Sequence, residues 1–135
     1  MLKPAAMIFG ALLVLLGLAG FVPVVTIPAT DGDYGLLLGA FAVDPAQNVA
    51  HIVTGAGALG VGAWGQDASR LYFRVVGVLY ALLAVIGFGV GTGTLFGMAH
   101  NTADAFLHLF FALATLSLGF TLRPRGGSRH GHHPA

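Results

Sequence analysis

Charged residues are so sparse along the chain that they leave four long uncharged stretches between them. These stretches lie at residues 4–30, 45–66, 75–103 and 105–122. A helix needs about 20 mostly apolar residues to cross the hydrocarbon of a bilayer, and each stretch can supply them. The apolar residues run continuously instead of alternating with polar ones, which favours helices over a transmembrane barrel.

The fold class that this pattern predicts is an all-α integral membrane protein, a bundle of four transmembrane helices. Residues 1–122 form the predicted transmembrane domain, with helices near 5–27, 45–65, 70–91 and 101–122. The loop of residues 28–44 contains a short apolar stretch and is expected to lie in the outer interface of the membrane. Residues 123–135 are rich in Arg, His, Gly and Pro, and we expect a disordered, basic, histidine-containing tail.

Composition supports a membrane environment and excludes several classes of chemistry. Hydrophobic residues make up 56% of the 135 residues and charged ones only 8%, whereas an ordinary soluble domain carries about 25% charged residues. The absence of cysteine excludes disulfides, thiolate metal ligands and cysteine nucleophiles. We therefore expect the lipid bilayer, and no nucleic acid, as the surroundings of this chain.

The positions of the basic residues predict the orientation of the helices. All six lie at the N-terminus, at the turn between the second and third helices, or in the tail: Lys3, Arg70, Arg74, Arg123, Arg125 and Arg129. Cytoplasmic segments of membrane proteins are enriched in Lys and Arg. The pattern predicts a multi-pass membrane protein with both termini in the cytoplasm.

An internal repeat relates the two halves of the predicted bundle. With an offset of 57 residues, Asp44 aligns with Asn101, Gln47 with Asp104 and His51 with His108, and the helices that follow also match. The first and third helices align with an offset of 67 residues. The chain is therefore expected to consist of two helical hairpins in parallel repeat, related by an axis along the membrane normal.

The matched polar residues stand where helices begin. Asp44 and Asn101 are typical N-cap residues, and side chains at the third helical position, here Gln47 and Asp104, can complete a cap. An alternative places Asp104 one turn before His108 on the same helix face, where its carboxylate would orient the imidazole. Gln47 would make the corresponding contact with His51.

His51 and His108 lie seven residues beyond their caps, about 10 Å below the helix start at 1.5 Å per residue. Ionisable residues at that depth usually face the interior of a bundle. Three hypotheses stay open: the imidazoles bond a neighbouring helix and set its register; they ligate a haem b or a metal ion; or they serve protons or substrate in an outward-facing cavity. His100, in the second outer loop, is expected to be solvated.

Three short motifs resemble a known family. They are Asn48-x-x-His51 in the second helix, Arg74-x-x-Gly77-x-x-Tyr80 in the third, and Asp104-x-x-Leu107-His108 in the fourth. Together they resemble the domain-of-unknown-function 4383 family of bacterial four-helix membrane proteins, over roughly residues 5–122. The family pattern has Asn after the Asp of the fourth helix, where this chain has Ala105. The resemblance implies an integral membrane protein and assigns no activity.

The leading functional expectation is a small non-enzymatic membrane protein that acts as a scaffold or accessory subunit. Glycines spaced along the second helix could pack against a partner subunit or a second copy. The first alternative is a bis-histidine haem or metal protein for electron transfer, with His51 and His108 as the axial ligands. The second is a transporter or channel component with a polar site at the outer mouth. The polar cluster predicted around either site comprises Gln47, Asn48, Asn101, Asp104 and Tyr80.

Overall fold

The computed structural model describes residues 1–122, so the predicted tail of residues 123–135 lies outside the described part. Four helices dominate, and five three-residue strands lie in the two connections that join them in pairs. In chain order the elements are α1 Leu2–Ala19, β1 Thr26–Pro28, β2 Gly35–Leu37, β3 Phe41–Val43, α2 Pro45–Trp64, α3 Gln66–Val90, β4 Gly93–Leu95, β5 Met98–His100 and α4 Thr102–Thr121. We call the end of the bundle that carries the strands the loop end, and the opposite one the terminal end.

Three of the four helices, α1, α3 and α4, are long and apolar enough to cross a membrane. The predicted four helices are therefore present, and three of them have the length and composition of membrane-spanning helices. Helix α2 is 20 residues long but is not among the three. Polar residues Gln47, Asn48 and His51 and four glycines make it less apolar than the others.

The helices pack as two pairs, α1 along α2 and α3 along α4. Small residues bring each pair close: a Cβ atom added to Gly10 would lie 2.6 Å from the Gly55 carbonyl oxygen, and one on Gly55 would lie 2.6 Å from that of Gly10. In the second pair, a Cβ atom on Gly77 would lie 2.8 Å from the Thr115 hydroxyl. Each pair therefore depends on having no side chain at its closest point.

Aromatic side chains join the two pairs in the middle of the bundle. The Phe9 ring of α1 meets three rings of the second pair edge-on, with centroid distances of 6.0 Å to Phe73, 6.5 Å to Tyr80 and 5.6 Å to Phe111. Such edge-to-face pairs add about 0.5–1.5 kcal/mol each to the burial of their area. These rings belong to the hydrophobic core that all four helices share.

Side chains from α3 complete the helix ends at the terminal end. Gln66 Oε1 accepts hydrogen bonds from the first backbone N–H groups of α1, at 2.9 Å from Leu2. Arg74 Nε donates to the Gly119 carbonyl at 2.8 Å, and Arg70 donates to the Leu122 carbonyl at 3.1 Å. Backbone groups at helix ends have no partner within their own helix. These contacts supply partners and bind α3 to α1 and α4.

The connections differ from the sequence prediction. The first helix ends at Ala19 instead of near residue 27, and strands β1, β2 and β3 form an antiparallel sheet where an interfacial loop was expected. Strands β4 and β5 form a second hairpin. Backbone outside a helix must still satisfy its hydrogen bonds at a membrane boundary, and the sheets supply partners. The described part is thus an all-helical bundle of four helices, as predicted, with two small sheets in its connections.

The two hairpin turns share one unusual backbone. Leu38 and Gly39 have φ of 53° and 71°, and Phe96 and Gly97 have φ of 52° and 79°. Paired positive φ values match the right-handed twist of strands in a tight hairpin. The first turn is one residue longer than the second, but a pair of residues with positive φ lies in the hairpin before both α2 and α4, so the likeness of the two halves extends into the connections.

A pair of glycine substitutions in α2 tests the close approach of α1 and α2. Gly55→Ala places a Cβ atom against the α1 backbone, and we expect it to lower the free energy of unfolding by about 1–3 kcal/mol. A Cβ atom at Gly60 meets nothing within 4 Å, so Gly60→Ala should raise that free energy by about 0.5–1 kcal/mol. Denaturant unfolding in mild detergent, followed by circular dichroism, measures both. Equal effects of the two substitutions would contradict the packing described.

Candidate functional site

The start of α2 is tied to the opposite repeat through one carboxylate. Asp44 caps its own helix, with Oδ1 accepting from the Gln47 backbone N–H at 2.7 Å. Its Oδ2 accepts from the Ala99 backbone N–H in β5 at 2.6 Å. With its amide nitrogen turned toward them, Gln47 donates to the Ala42 carbonyl at 2.7 Å and the Ala99 carbonyl at 2.6 Å. One helix start therefore holds a strand from each repeat.

The start of α4 makes the reciprocal connection. Asn101 and Asp104 form a capping box, in which Asn101 Oδ1 accepts from the Asp104 N–H at 3.0 Å and Asp104 Oδ2 accepts from the Asn101 N–H at 2.9 Å. The Asn101 amide also donates to the Ala40 carbonyl at 2.7 Å, beside β3. The predicted capping roles of Asp44, Asn101 and Asp104 are thus confirmed.

The alternative role for Asp104 is not what the structure shows. Its carboxylate accepts from the Asn101 N–H and from the Ala42 backbone, while Nδ1 of His108 has no partner in residues 1–122. Asn48 also departs from the predicted polar cluster. It is buried in the α1–α2 contact, where its amide fills the space beside Gly20.

Directly below these helix starts lies a cavity of about 160 Å³, bounded by α2, α3, α4 and the β4–β5 hairpin. We call it the histidine cavity, because His51, His100 and His108 all line it. Tyr80 and Gln47 add two further polar side chains, and the remaining walls are mostly aliphatic. No charged residue is among those that line it in the described part of the chain.

His51 and His108, predicted to face the interior, are each only 6% exposed. The His108 ring lies 5.5 Å from the Tyr80 ring and 6.0 Å from the His100 ring, measured between centroids. The repeat thus brings both predicted histidines to one cavity, with Tyr80 beside them.

The expectation that His100 is solvated is wrong, since it is 2% exposed. Strand β5 turns its ring inward, where its Nδ1 lies 3.0 Å from the Gly91 carbonyl. The ring occupies the space left by Gly87, where an added Cβ atom would lie 2.6 Å from His100 Nε2. Sequence reasoning missed this residue because its burial depends on the hairpin, although the glycine in α3 was a possible signal.

A hydrogen-bond partner assigns the tautomer of His100, and the lack of a partner at Nδ1 within residues 1–122 assigns those of His51 and His108. A carbonyl oxygen only accepts, so His100 carries its proton on Nδ1 and leaves Nε2 as a bare acceptor. The Nδ1 atoms of His51 and His108 are buried and have no partner in residues 1–122. An orphaned buried N–H is rarer than an under-satisfied acceptor, so we assign the bare nitrogen to Nδ1. Each of these rings then carries its N–H on Nε2, at the edge that lines the cavity.

The cavity is the wrong size for a haem. A cavity of about 150 Å³ accommodates benzene, and a tetrapyrrole macrocycle is several times larger. Within residues 1–122, no group of three or more His, Cys, Asp or Glu is arranged to hold a metal ion. The arrangement suits a different task, because two imidazole N–H groups in an apolar enclosure can bind a small uncharged molecule that carries hydrogen-bond acceptors.

The reciprocal contacts at the helix starts predict a large effect of one carboxylate. Asp44→Asn places an amide N–H₂ against the Gln47 or Ala99 N–H group, and we expect the free energy of unfolding to fall by about 1–3 kcal/mol. Asp67→Asn is the matched control, because the Asp67 side chain is 97% exposed and pairs only with Arg70 at the surface. Unfolding in detergent, followed by circular dichroism, compares them. A loss for Asp67→Asn as large as for Asp44→Asn would refute the role of Asp44.

A comparison with protein-family models identifies the family that the sequence motifs resemble. A comparison with curated proteins finds no match, and neither does a comparison with solved structures. The family model described as "Domain of unknown function (DUF4383)" matches residues 3–121, which include all four helices except the first residue of α1. Since the match covers most of the 135 residues, the chain belongs to the DUF4383 family.

Proposed function

We propose that this chain is a non-enzymatic membrane protein that binds a small, uncharged, acceptor-bearing molecule in the histidine cavity. The observation that carries the proposal is the pair of imidazoles, His51 and His108, which line one apolar cavity and hydrogen-bond to no neighbouring helix within residues 1–122. A register role would instead require each ring to bond a neighbouring helix. The third of the original hypotheses, a polar site in a cavity, fits the geometry better.

Two free N–H donors in an apolar enclosure favour occupation of the cavity. A buried donor without a partner costs about 1–3 kcal/mol, and a molecule that accepts from both removes that cost. Aliphatic walls contribute further through burial of an apolar body, since each square ångström removed from water contributes about 25 cal/mol. A small ligand with an apolar ring and a carbonyl oxygen satisfies both requirements.

The lining residues favour binding over catalysis. No charged residue lines the cavity in residues 1–122, and the chain has no cysteine to act as a nucleophile. The imidazoles of His51 and His108, which donate through Nε2, present no basic nitrogen to the ligand, and the bare Nε2 of His100 is buried beside Gly87. A binding protein of this size fits the role of an accessory subunit, with the exposed apolar helix faces in contact with lipid or with a partner in the membrane.

Four spans, including α2, are part of the proposal. At 1.5 Å per residue the 20 residues of α2 extend about 30 Å, the thickness of the hydrocarbon. Its contacts with α1 run along its whole length, from Gly17 against the Asn48 carbonyl to Gly62 against the Lys3 carbonyl. If α1 crosses the bilayer, α2 therefore crosses it alongside, with its polar residues at the loop end.

An orientation with both termini in the cytoplasm of the bacterial plasma membrane is also part of the proposal. It can be mapped with two single cysteines, because the natural chain has none. Asp33 is exposed at the loop end and Asp67 is exposed at the terminal end. The positive-inside rule predicts that Asp33→Cys reacts with an impermeant maleimide on intact cells, and that Asp67→Cys reacts only after permeabilisation. The reverse pattern would overturn the proposed orientation.

Binding in the histidine cavity is tested with two molecules of similar shape, acetophenone and cumene. Acetophenone carries a carbonyl acceptor that cumene lacks, and we expect it to bind the purified protein about three- to tenfold more tightly. In His51→Leu and His108→Leu this preference should shrink by about the same factor. Isothermal titration in mild detergent, with circular dichroism to confirm folding, provides the measurement.

A control and a refuting result complete that test. Ser117 lies exposed on α4, away from the cavity, so Ser117→Leu should leave the preference for acetophenone unchanged. Equal binding of acetophenone and cumene by the natural protein would overturn the proposed function. The same holds if neither molecule binds.

A further inference from the structure

We infer that the histidine cavity takes its ligand from the bilayer, through an opening between α2 and α3, and that the ligand is a lipid-soluble quinone. The inference rests on the proposed function and adds a route of entry and a chemical class. Two observations support it independently of each other: where the cavity is open, and which hydrogen-bonding groups it presents.

The loop end of the cavity is closed by protein. The β4–β5 hairpin covers it with Leu95, which is 6% exposed, and Ala99, which is 5% exposed. The hairpin is itself fixed, since Ala99 is held through its N–H by Asp44. A ligand from the aqueous side would have to displace this hairpin.

The terminal side of the cavity is closed as well. The Tyr72 hydroxyl donates a hydrogen bond to the Thr54 carbonyl and so ties α3 to α2 below the cavity. Next to this contact the Phe73 ring packs edge-on against the ring of Phe9. The hydrogen bond and the aromatic rings therefore close the path from the terminal end to the histidines.

The opening that is left lies on the side, between α2 and α3. Ala50 and Thr54 of α2 and Leu83 of α3 line the cavity and are half-buried, and Leu79 of α3 lines it while 53% exposed. Leu79 stands near the middle of a helix that is long and apolar enough to span the membrane. An opening beside it faces the hydrocarbon, so molecules dissolved in the bilayer have direct access.

The hydrogen-bonding groups of the cavity select a carbonyl-bearing head. His51 and His108 each offer an N–H group, and no cation among the lining residues could balance an anionic head such as a carboxylate or phosphate. A volume of about 160 Å³ holds a single six-membered ring but not the fused rings of a sterol. A benzoquinone ring is flat and uncharged and carries two carbonyl acceptors, and its isoprenoid tail can leave through the opening into lipid.

This chemistry also predicts a preference between the two oxidation states. The carbonyl oxygens of a quinone accept hydrogen bonds, whereas the hydroxyl groups of the reduced quinol bring donors of their own. A quinol oxygen can still accept from an Nε2–H group of His51 or His108, but each quinol O–H group must then also find an acceptor in the mostly aliphatic walls of the cavity. The oxidised form should therefore bind about three- to tenfold more tightly than the quinol. No electron transfer by the chain is involved.

The test uses the full chain in lipid nanodiscs with a decyl-tailed benzoquinone carrying ¹³C in its carbonyl groups. Hydrogen bonding to the imidazoles should lower the carbonyl stretching frequency in infrared difference spectra, and the shift should be lost in His51→Leu and His108→Leu. Titration of the same signal yields the affinity of each variant, and the reduced quinol is compared by competition.

Two tryptophan substitutions on α3 test the route. Leu79→Trp fills the opening, and we expect it to weaken binding of the tailed quinone at least about tenfold. Val85 is 73% exposed and does not line the cavity, so Val85→Trp should change the affinity by less than about twofold. Equal effects of the two substitutions would refute entry between α2 and α3.

The outcomes separate this inference from the proposed function. If acetophenone binds in a histidine-dependent manner but the tailed quinone produces no shifted carbonyl band, the cavity is a binding site and the quinone assignment is wrong. If the quinol binds as tightly as the quinone, the predicted preference for carbonyl acceptors is wrong, and the quinone assignment falls with it. If neither acetophenone nor quinone binds, both proposals fall.

Discussion

The reciprocal hydrogen bonds at the starts of α2 and α4 are the interaction on which the rest of the structure depends. Asp44 and Gln47 hold β5, while Asn101 holds the chain beside β3, so the residues that begin each helix also bind the connection of the other repeat. The first N–H groups of a helix have no partner within it, and at a membrane boundary such groups are costly to leave unpaired. The same side chains thus supply hydrogen-bond partners for the backbone N–H groups at the helix starts and fix the distance between the α1–α2 pair and the α3–α4 pair.

The histidine cavity follows from the distance between this polar connection and the aromatic cluster. Helix pairs are joined by hydrogen bonds at the loop end and by Phe9 against the rings of α3 and α4 in the middle. Gly10 and Gly55 let α1 and α2 approach closely. Within residues 1–122, no such glycine contact brings α2 and α3 together between the loop-end hydrogen bonds and the aromatic cluster. The space that remains is where the repeat places His51 and His108.

Much of the helical framework could be predicted from the sequence, because charges and caps mark helix ends independently of tertiary contacts. Asp44 and Asn101 were recognisable as N-caps, and the depth of His51 and His108 below them predicted their burial. The end of α1 was not predictable, since the apolar stretch continues beyond Ala19 into residues that pair as strands. Hydropathy records what is apolar and does not record where a helix stops.

The strands and His100 escaped prediction for a related reason. Three-residue strands are too short to show alternation, and the turns at Leu38–Gly39 and Phe96–Gly97 lack the Asn-Gly or Asp-Gly pair that usually marks a hairpin. His100 is buried only because β5 pairs with β4 and Gly87 leaves room for its ring. Both features depend on how neighbouring segments pair and pack, which the residue types of one segment do not reveal, and the separation of Asn48 from the cavity depends on its contact with α1.

We have assigned N–H donors that face the histidine cavity to His51 and His108. ¹⁵N NMR of histidine-labelled protein in nanodiscs measures this assignment. We expect two neutral rings at neutral pH with the proton on Nε2, and each ring is assigned by the loss of its signals in the corresponding Leu variant. Both Nε2 signals should move when acetophenone is added. A proton on Nδ1 in either ring, or signals that stay in place while acetophenone binds, would contradict it.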